Sequence, residues 1–411
     1  MNHNKKSLTP KWRFRQDSAD WIVEKFDFEF LQTNTFCRAD MNSQHGKVKN
    51  IHYGDILTKY NDILYDFSSV PFINEDINLS KFNGTSYLKD GDVVIADTAE
   101  DLTAGKAVEV LNINTPLLAG QHTFLCRPKK NFALGFMGYY LNSPTYRKQI
   151  VPLLAGAKVY SISKSSIKDT LILYPYNLEE QQKIADCLAS LDELITAENK
   201  KLDALKKHKQ ALMQNLFPAR GKTMPAWRFT QFKNDGEWES SRIDNCFTTI
   251  TPPRKLVKSE YQNIGKYPII DQSQEYIAGW TNAVDALICN SRPLIVFGDH
   301  TCVFKFVNHP FVQGADGIKI LLSSPKINEK FAYYCLENIP LQPDGYRRHF
   351  SILKEWIIKI PKKNSGEQEK IAECLSTADL LIQAQAHKLE TLKMHKKALM
   401  QGLFPSLEDI K

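Results

Sequence analysis

EQQKIADCLASLDELITAENKKLDALKKHKQALMQNLFP, residues 180–218, returns without a gap as EQEKIAECLSTADLLIQAQAHKLETLKMHKKALMQGLFP, residues 367–405. About 24 of the 39 positions are identical, so the chain is an internal tandem duplication. In the first copy Ile184, Leu188, Leu191, Ile195, Leu202, Leu205, Leu212 and Leu216 follow the alternating four and three spacing of a coiled-coil seam. The second copy repeats it with Ile371, Leu375, Ala378, Ile382, Leu389, Leu392, Leu399 and Leu403. Polar residues interrupt both ladders at matched places, Glu198 and Gln385, then Lys209 and Lys396. Such interruptions cost stability and can fix register.

Each copy carries its own boundaries. Asn177 before Glu180, and Asn364 before Glu367, give an N-cap and an acid three residues on, the pair that satisfies orphaned backbone N–H groups at a helix start. Pro218 and Pro405 supply stops. Such a helix spans roughly 55 Å at 1.5 Å per residue, longer than most helices inside one domain. With about 150 residues between the copies, antiparallel pairing with pseudo-twofold symmetry is the simplest arrangement. The fold class expected is therefore α+β, two similar globular domains of mixed sheet and short helices separated by two long helices paired as an antiparallel coiled coil. The expected boundaries are 1–176 and 218–363 for the globular domains and 177–217 and 364–411 for the helical segments.

Composition bounds the function. A chain of 411 residues with 43% hydrophobic and 24% charged residues is globular, neither disordered nor fibrous. No apolar run approaches the roughly 18 to 20 residues that span a membrane, and the start Met1-Asn2-His3-Asn4-Lys5-Lys6 lacks the apolar stretch of a signal peptide, so a cytoplasmic location with no membrane contact is expected. Eight scattered cysteines without a C-x-x-C pair point to no zinc site and no disulfide framework. A net charge of +7 is compatible with a polyanionic partner but decides nothing alone.

The duplication begins ahead of the helices. Pro10-Lys11-Trp12-Arg13-Phe14, Trp21, Lys25 and Phe26 answer Pro225-Ala226-Trp227-Arg228-Phe229, Trp238, Arg242 and Ile243. Short apolar runs such as Val93–Ala96, Pro293–Phe297 and Ile318–Leu321, parted by Gly, Asp and Asn, predict sheet. Phe136, Tyr139 and Leu141 match Phe331, Tyr334 and Leu336 in a segment that predicts a helix packed on that sheet. Ser161-Ile162-x-Lys164 is matched with Ser351-Ile352-x-Lys354. Between these points the halves diverge, so one scaffold carries two different surfaces.

These features resemble one family. The openings, the Glu-Glu-Gln-Gln-Lys-Ile-Ala and Glu-Gln-Glu-Lys-Ile-Ala helix starts, and the Leu-x-x-Leu-Lys-x-His-Lys-x-Ala-Leu-Met-Gln-x-Leu-Phe-Pro ends are similar to the specificity subunit of Type I restriction-modification enzymes. So are Tyr53-Gly54-Asp55-Ile56, Gly91-Asp92-Val93-Val94, Asp97-Thr98-Ala99-Glu100-Asp101, Phe297-Gly298-Asp299-His300-Thr301 and Gly314-Ala315-Asp316-Gly317. Trp12 and Trp227 depart from the smaller apolar residue frequent in the family. The resemblance implies two target-recognition domains, each reading one half of a bipartite asymmetric site in double-stranded DNA. It implies helices that set the gap between half-sites, and assembly with two modification (methyltransferase) subunits and two restriction (motor and nuclease) subunits. The same resemblance places S-adenosylmethionine, ATP and Mg on those partners, with no cofactor in this chain.

No intrinsic catalytic site is expected. Thr251-Pro252-Pro253-Arg254 is not the Asn-Pro-Pro-aromatic signature of an amino-methyltransferase, and Gly221-Lys222-Thr223 lacks the first glycine of a phosphate loop, where Leu216 stands. Asp299-His300 has no second cluster at metal-ligand spacing. DNA recognition needs cations for phosphates and planar or amide side chains for base edges. Candidates in the first domain are Lys129 and Lys130 after Pro128, and Lys158 and Tyr160 after Gly156. In the second they are Arg254, Lys255 and Lys258 after Pro252-Pro253, and Tyr346, Arg347, Arg348 and His349 after Gly345. The competing class is a non-catalytic coiled-coil scaffold with two protein-binding domains; a solitary nuclease or methyltransferase ranks last.

Overall fold

The computed structural model describes residues 9–14, 21–315, 317–344, 348–362 and 365–406. Asn364, Asp316, Gly345, Tyr346 and Arg347 lie outside the described residues. The chain divides into two compact units, Met1–Asn199 with His387–Lys411, and Lys200–Ala386.

In the first unit, strand Trp21–Lys25 pairs antiparallel with Leu171–Pro175, the last strand before the first long helix, Leu178–Leu216. A five-stranded sheet runs in the order Phe28–Leu31, Thr123–Pro128, Val93–Ala96, Ala107–Val110, Ile63–Leu64. Val93–Ala96 reads as an unbroken apolar run because both its faces are covered. Val93 and Ile95 join a core with the short helix Phe136–Asn142, while Val94 and Ala96 join another with Ile51, Ile56 and Leu117. The second unit repeats the plan. Its four-stranded sheet runs Phe247–Ile250, Ile318–Ser323, Leu294–Gly298, Phe304–Val307, with Ile295 and Phe297 facing the short helix Glu329–Glu337, and Leu294 and Val296 facing Ile270 and Phe311. Each unit adds a smaller four-stranded sheet.

Each unit takes the start of one long helix and the end of the other. Ile184, Ala185 and Leu188 share the first core with Met400, Leu403 and Phe404; Ile371, Ala372 and Leu375 of the second long helix, Glu367–Leu403, share the second core with Met213, Leu216 and Phe217. In the first unit Asp192 meets Lys396 at 2.6 Å and Glu198 meets Lys388 at 2.5 Å, so rising numbers on one helix meet falling numbers on the other. The pairing is antiparallel. Glu198 and Gln385 are buried within the apolar ladders, and Lys209 and Lys396 are half-buried among carboxylates.

The duplicated motifs hold these joints. Arg13 donates two parallel hydrogen bonds to Glu180, both 2.8 Å, and Arg228 does the same to Glu367 at 2.7 and 2.6 Å. The expected capping role of Glu180 and Glu367 is thereby corrected: their carboxylates answer the opening arginines, while Glu179 N donates to the Asn177 side chain at 2.9 Å and Glu367 N donates to Ser365 Oγ at 3.3 Å. The next residue works identically in both units. Buried Gln181 accepts from Ala133 N and donates to Pro175 O, while buried Gln368 accepts from Asn328 N and donates to Pro361 O, tying the short helix and the last strand to the long helix. Trp12 packs on Gly402, where an added Cβ would stand 2.2 Å from its ring; in the other copy Trp227 is half exposed beside Asn215.

A buried carboxylate organises the first short helix. Glu109 accepts from Gly135 N at 2.8 Å and Gly138 N at 2.7 Å, and burial pushes its carboxyl up to about 7. One sequence match fails in three dimensions. Ser161 lies on strand Tyr160–Ser161 and Ile162 is buried ahead of helix Lys164–Lys168, whereas Ser351 and Ile352 sit exposed inside helix Phe350–Glu355. The true counterparts are Ile162 and His349, whose backbone N–H groups bond Asp97 O and Asp299 O.

Candidate nucleic-acid interface

The predicted cations divide into two groups. Lys129 lies 2.6 Å from Asp27, and Lys130 pairs with Glu24, so both charges are met by exposed acids of the same surface. Arg254 is held at 2.7 Å by both Asp285 and Glu260. The other described cations, Lys158 in the first unit and Lys255, Lys258 and Arg348 in the second, gather at one place in each unit.

In the first unit that place is the end of strand Val93–Ala96. Asp97 N donates to His122 O at 3.0 Å, and Asp97 O accepts from Ile162 N at 2.9 Å. Tyr160 and Ser161 pair with Ala99 and Thr98, which brings the exposed Lys158 to the tip of the adjoining turn. Gly120 N donates to Ile51 O at 2.8 Å, so the segment Gln121–His122 lies beside His52–Tyr53. Only glycine fits at 120, because an added Cβ would stand 2.7 Å from the Asn50 amide. The His122 ring lies edge-on to Tyr53 at 5.3 Å between centroids, 3.5 Å from Asp97 and 3.4 Å from the Gln121 amide. Cations flank the patch through Asp55. Burial would raise that carboxyl, but Arg38 at 2.5 Å and Lys59 at 2.9 Å bring it below its ordinary value. Burial, with Arg38 beside it, lowers His52, whose Nδ1 accepts from Gly54 N at 3.1 Å.

The second unit builds the same frame from different residues. Asp299 N donates to Gly317 O at 2.7 Å, Asp299 O accepts from His349 N at 3.0 Å, and Gly314 N donates to Ile270 O at 2.9 Å. Gln272 thus stands where the first unit has Tyr53, and Gly317 where it has His122. Thr301 donates to Gln272 O at 2.7 Å. Leu256 N bonds Gln313 O, and Ala315 N bonds Leu256 O, which sets Lys255 and the stretch up to Lys258 alongside the turn. Arg348 is exposed next to His349. His349 itself is buried, its ring bonded to Asp299 O at 2.9 Å and accepting from Asp344 N at 3.1 Å, so it braces the frame from inside. Sequence reading missed this because a histidine after two arginines looks like surface.

The model of the Type I restriction modification DNA specificity domain matches this chain twice, over residues 41–207 and 235–394. The chain belongs to that family. The two matches each span most of one globular domain and most of its following long helix, the same doubling found in the helix repeat. Among curated relatives, the putative type I restriction enzyme MjaX specificity subunit of Methanocaldococcus jannaschii is 28% identical over 342 residues, 76% of this chain and 77% of the relative. The MjaVIII specificity subunit of the same organism is 23% identical over 274 residues, 60% of this chain and 64% of the relative. In fold, the chain is similar to the S subunit of a type I restriction-modification system from M. genitalium, with a TM-score of 0.63 and 16% identity over 97% of this chain and all of that one. A structure described for complex assembly and conformational transition of the type I R-M system gives a TM-score of 0.51 at 17% identity, over 94% of this chain and 97% of that one.

The sequence also missed what the opening arginines do. Arg13 and Arg228 recur with the repeat and carry a charge that Glu180 and Glu367, recurring likewise, could answer; that shared recurrence was the available signal. Among the described residues no group of three or more His, Cys, Asp or Glu is placed to hold a metal ion, and no helix is long and apolar enough to cross a membrane.

Proposed function

We propose that this chain is the DNA-reading subunit of a Type I restriction-modification complex, each globular domain reading one half of a bipartite asymmetric duplex site. The long helices set the separation of the half-sites and dock two modification subunits, and two restriction subunits complete the assembly. The observation that carries this is a family match that falls twice, on two domains with the same backbone frame and unlike side chains. Two identical readers would specify a symmetric site; two unlike ones specify an asymmetric site. The reading is supported further by the relatives named as specificity subunits and by the neighbour described for type I R-M assembly.

This chain supplies base contacts from its turns and phosphate contacts from Lys158, Lys255, Lys258 and Arg348, and the partners supply the reaction. S-adenosylmethionine binds the modification subunits, which methylate adenine, and ATP with Mg binds the restriction subunits. The test is methylome sequencing of a host expressing this chain with its modification partner. A two-part motif with a fixed gap is expected, and duplex binding by the complex should weaken steeply with salt as phosphate contacts release counterions. Absence of any sequence-specific methylation, with weak salt dependence, would replace this reading by a protein-binding scaffold.

A further inference from the structure

We infer that base specificity resides in the turns at the equivalent strand ends: Tyr53, Gln121 and His122 read the first half-site, and Gln272 and His300 read the second. This deepens the proposed function and rests on it.

Three observations converge on these residues. The first is the contrast between a constant frame and changed side chains. Asp97 and Asp299 make the same two backbone bonds, and Gly120 and Gly314 the same approach to Ile51 and Ile270. Around that frame an aromatic ring and an imidazole in one unit give way to an amide and a glycine in the other. A position needed only for folding would not have to differ; one that reads a different base would.

The second is backbone strain. Of the four non-glycine residues with positive φ among the described residues, three lie in these turns: His122 at 54°, Cys302 at 57° and Ala315 at 24°. A left-handed backbone at a residue with a side chain costs energy, and the fold retains it where the side chain's direction is useful. The third is chemistry. Gln121 and His122 are at least partly exposed and present amide and imidazole donors and acceptors beside the tyrosine ring, and an amide suits the paired donor and acceptor of adenine in the major groove. In the second unit Gln272 and His300 crowd Gly317, each within 2.9 Å of where its Cβ would be. A side chain at 317 would bury that reading edge.

The experiment compares methylome motifs for the complex carrying wild-type chain, His122→Gly with Gln121→Ala, and Gln272→Ala with His300→Ala. Glycine suits the left-handed backbone at 122, so the first variant keeps its turn, and thermal unfolding of the complex checks that both variants are folded. The first variant should lose roughly ten- to a hundredfold of discrimination at one or two base pairs of the first half-site, with the second half-site and the gap unchanged; the other variant should do the reverse. Motifs unchanged in both folded variants would overturn this assignment while leaving the proposed function standing. A wild-type complex without any motif would instead remove the proposed function and this inference together.

Discussion

Lys396 lies 2.6 Å from Asp192 across the paired helices of the first unit, and the residue 187 positions earlier, Lys209, lies 2.7 Å from Asp379 in the second. The two sites match further. Tyr139 donates to Asp192 and Tyr334 to Asp379, and each lysine lies over the corresponding tyrosine ring. The third partner differs, Asp62 from a loop in one unit and Glu337 from the short helix in the other. These seam lysines therefore fasten helix to helix and helix to domain at once.

Replacing Lys396 by Met should destabilise the first unit by about 3 to 5 kcal/mol, because two carboxylates lose their counterion. Lys209→Met should do the same in the second. Urea unfolding followed by hydrogen exchange in each unit would measure this. Burial would lower both ammonium groups, but their carboxylate partners hold them above the ordinary lysine value. The stabilisation should therefore be complete at neutral pH and below the ordinary lysine range, and be lost as pH rises through the raised values.

Arg228 and Glu367 are both buried, and the fork geometry matches the carboxylate. Arg228→Lys should cost about 2 kcal/mol despite retaining charge, since lysine cannot make both parallel bonds. A double-mutant cycle with Glu367→Gln should return a coupling above about 1 kcal/mol; additive losses would mean that the two side chains act independently.

Glu109 makes the first unit sensitive to pH. With its folded-state carboxyl near 7 and its ordinary value at 4.5, the contribution is complete below the ordinary range and declines as pH rises towards 7, by about 3 kcal/mol in all. Thermal midpoints between pH 4 and 8 should show that slope in the wild type. Glu109→Gln should flatten it, whatever its effect on absolute stability.

Matched insertions of one heptad after Asn199 and after Ala386 should lengthen the gap between half-sites by about three base pairs, since seven helical residues rise about 10.5 Å and base pairs stack every 3.4 Å. Neither half-site should change. A motif with its original gap would refute the helices' role as a ruler.

The long helices and the doubled architecture were legible because heptad spacing and internal identity are local, one-dimensional signals. Strands Val93–Ala96 and Leu294–Gly298 were legible as apolar runs for the same reason. Counterparts across divergent loops were not. Ser161-Ile162 and Ser351-Ile352 look alike in letters, yet the shared backbone bonds to Asp97 and Asp299 pick out Ile162 and His349. The cationic candidates were found by composition, which cannot see that Lys129 and Arg254 face acids distant in sequence.

The sequence alone determined that there are two copies of one plan, each closed by a long amphipathic helix, because periodicity and repetition need no knowledge of distant contacts. Only the tertiary structure decided that each unit borrows the end of the other copy's helix, that Arg13 and Arg228 answer Glu180 and Glu367, and that unlike turns share one frame. Those facts depend on which buried charges and backbone groups find partners far apart in sequence, and such pairing is set by desolvation and geometry in the folded chain.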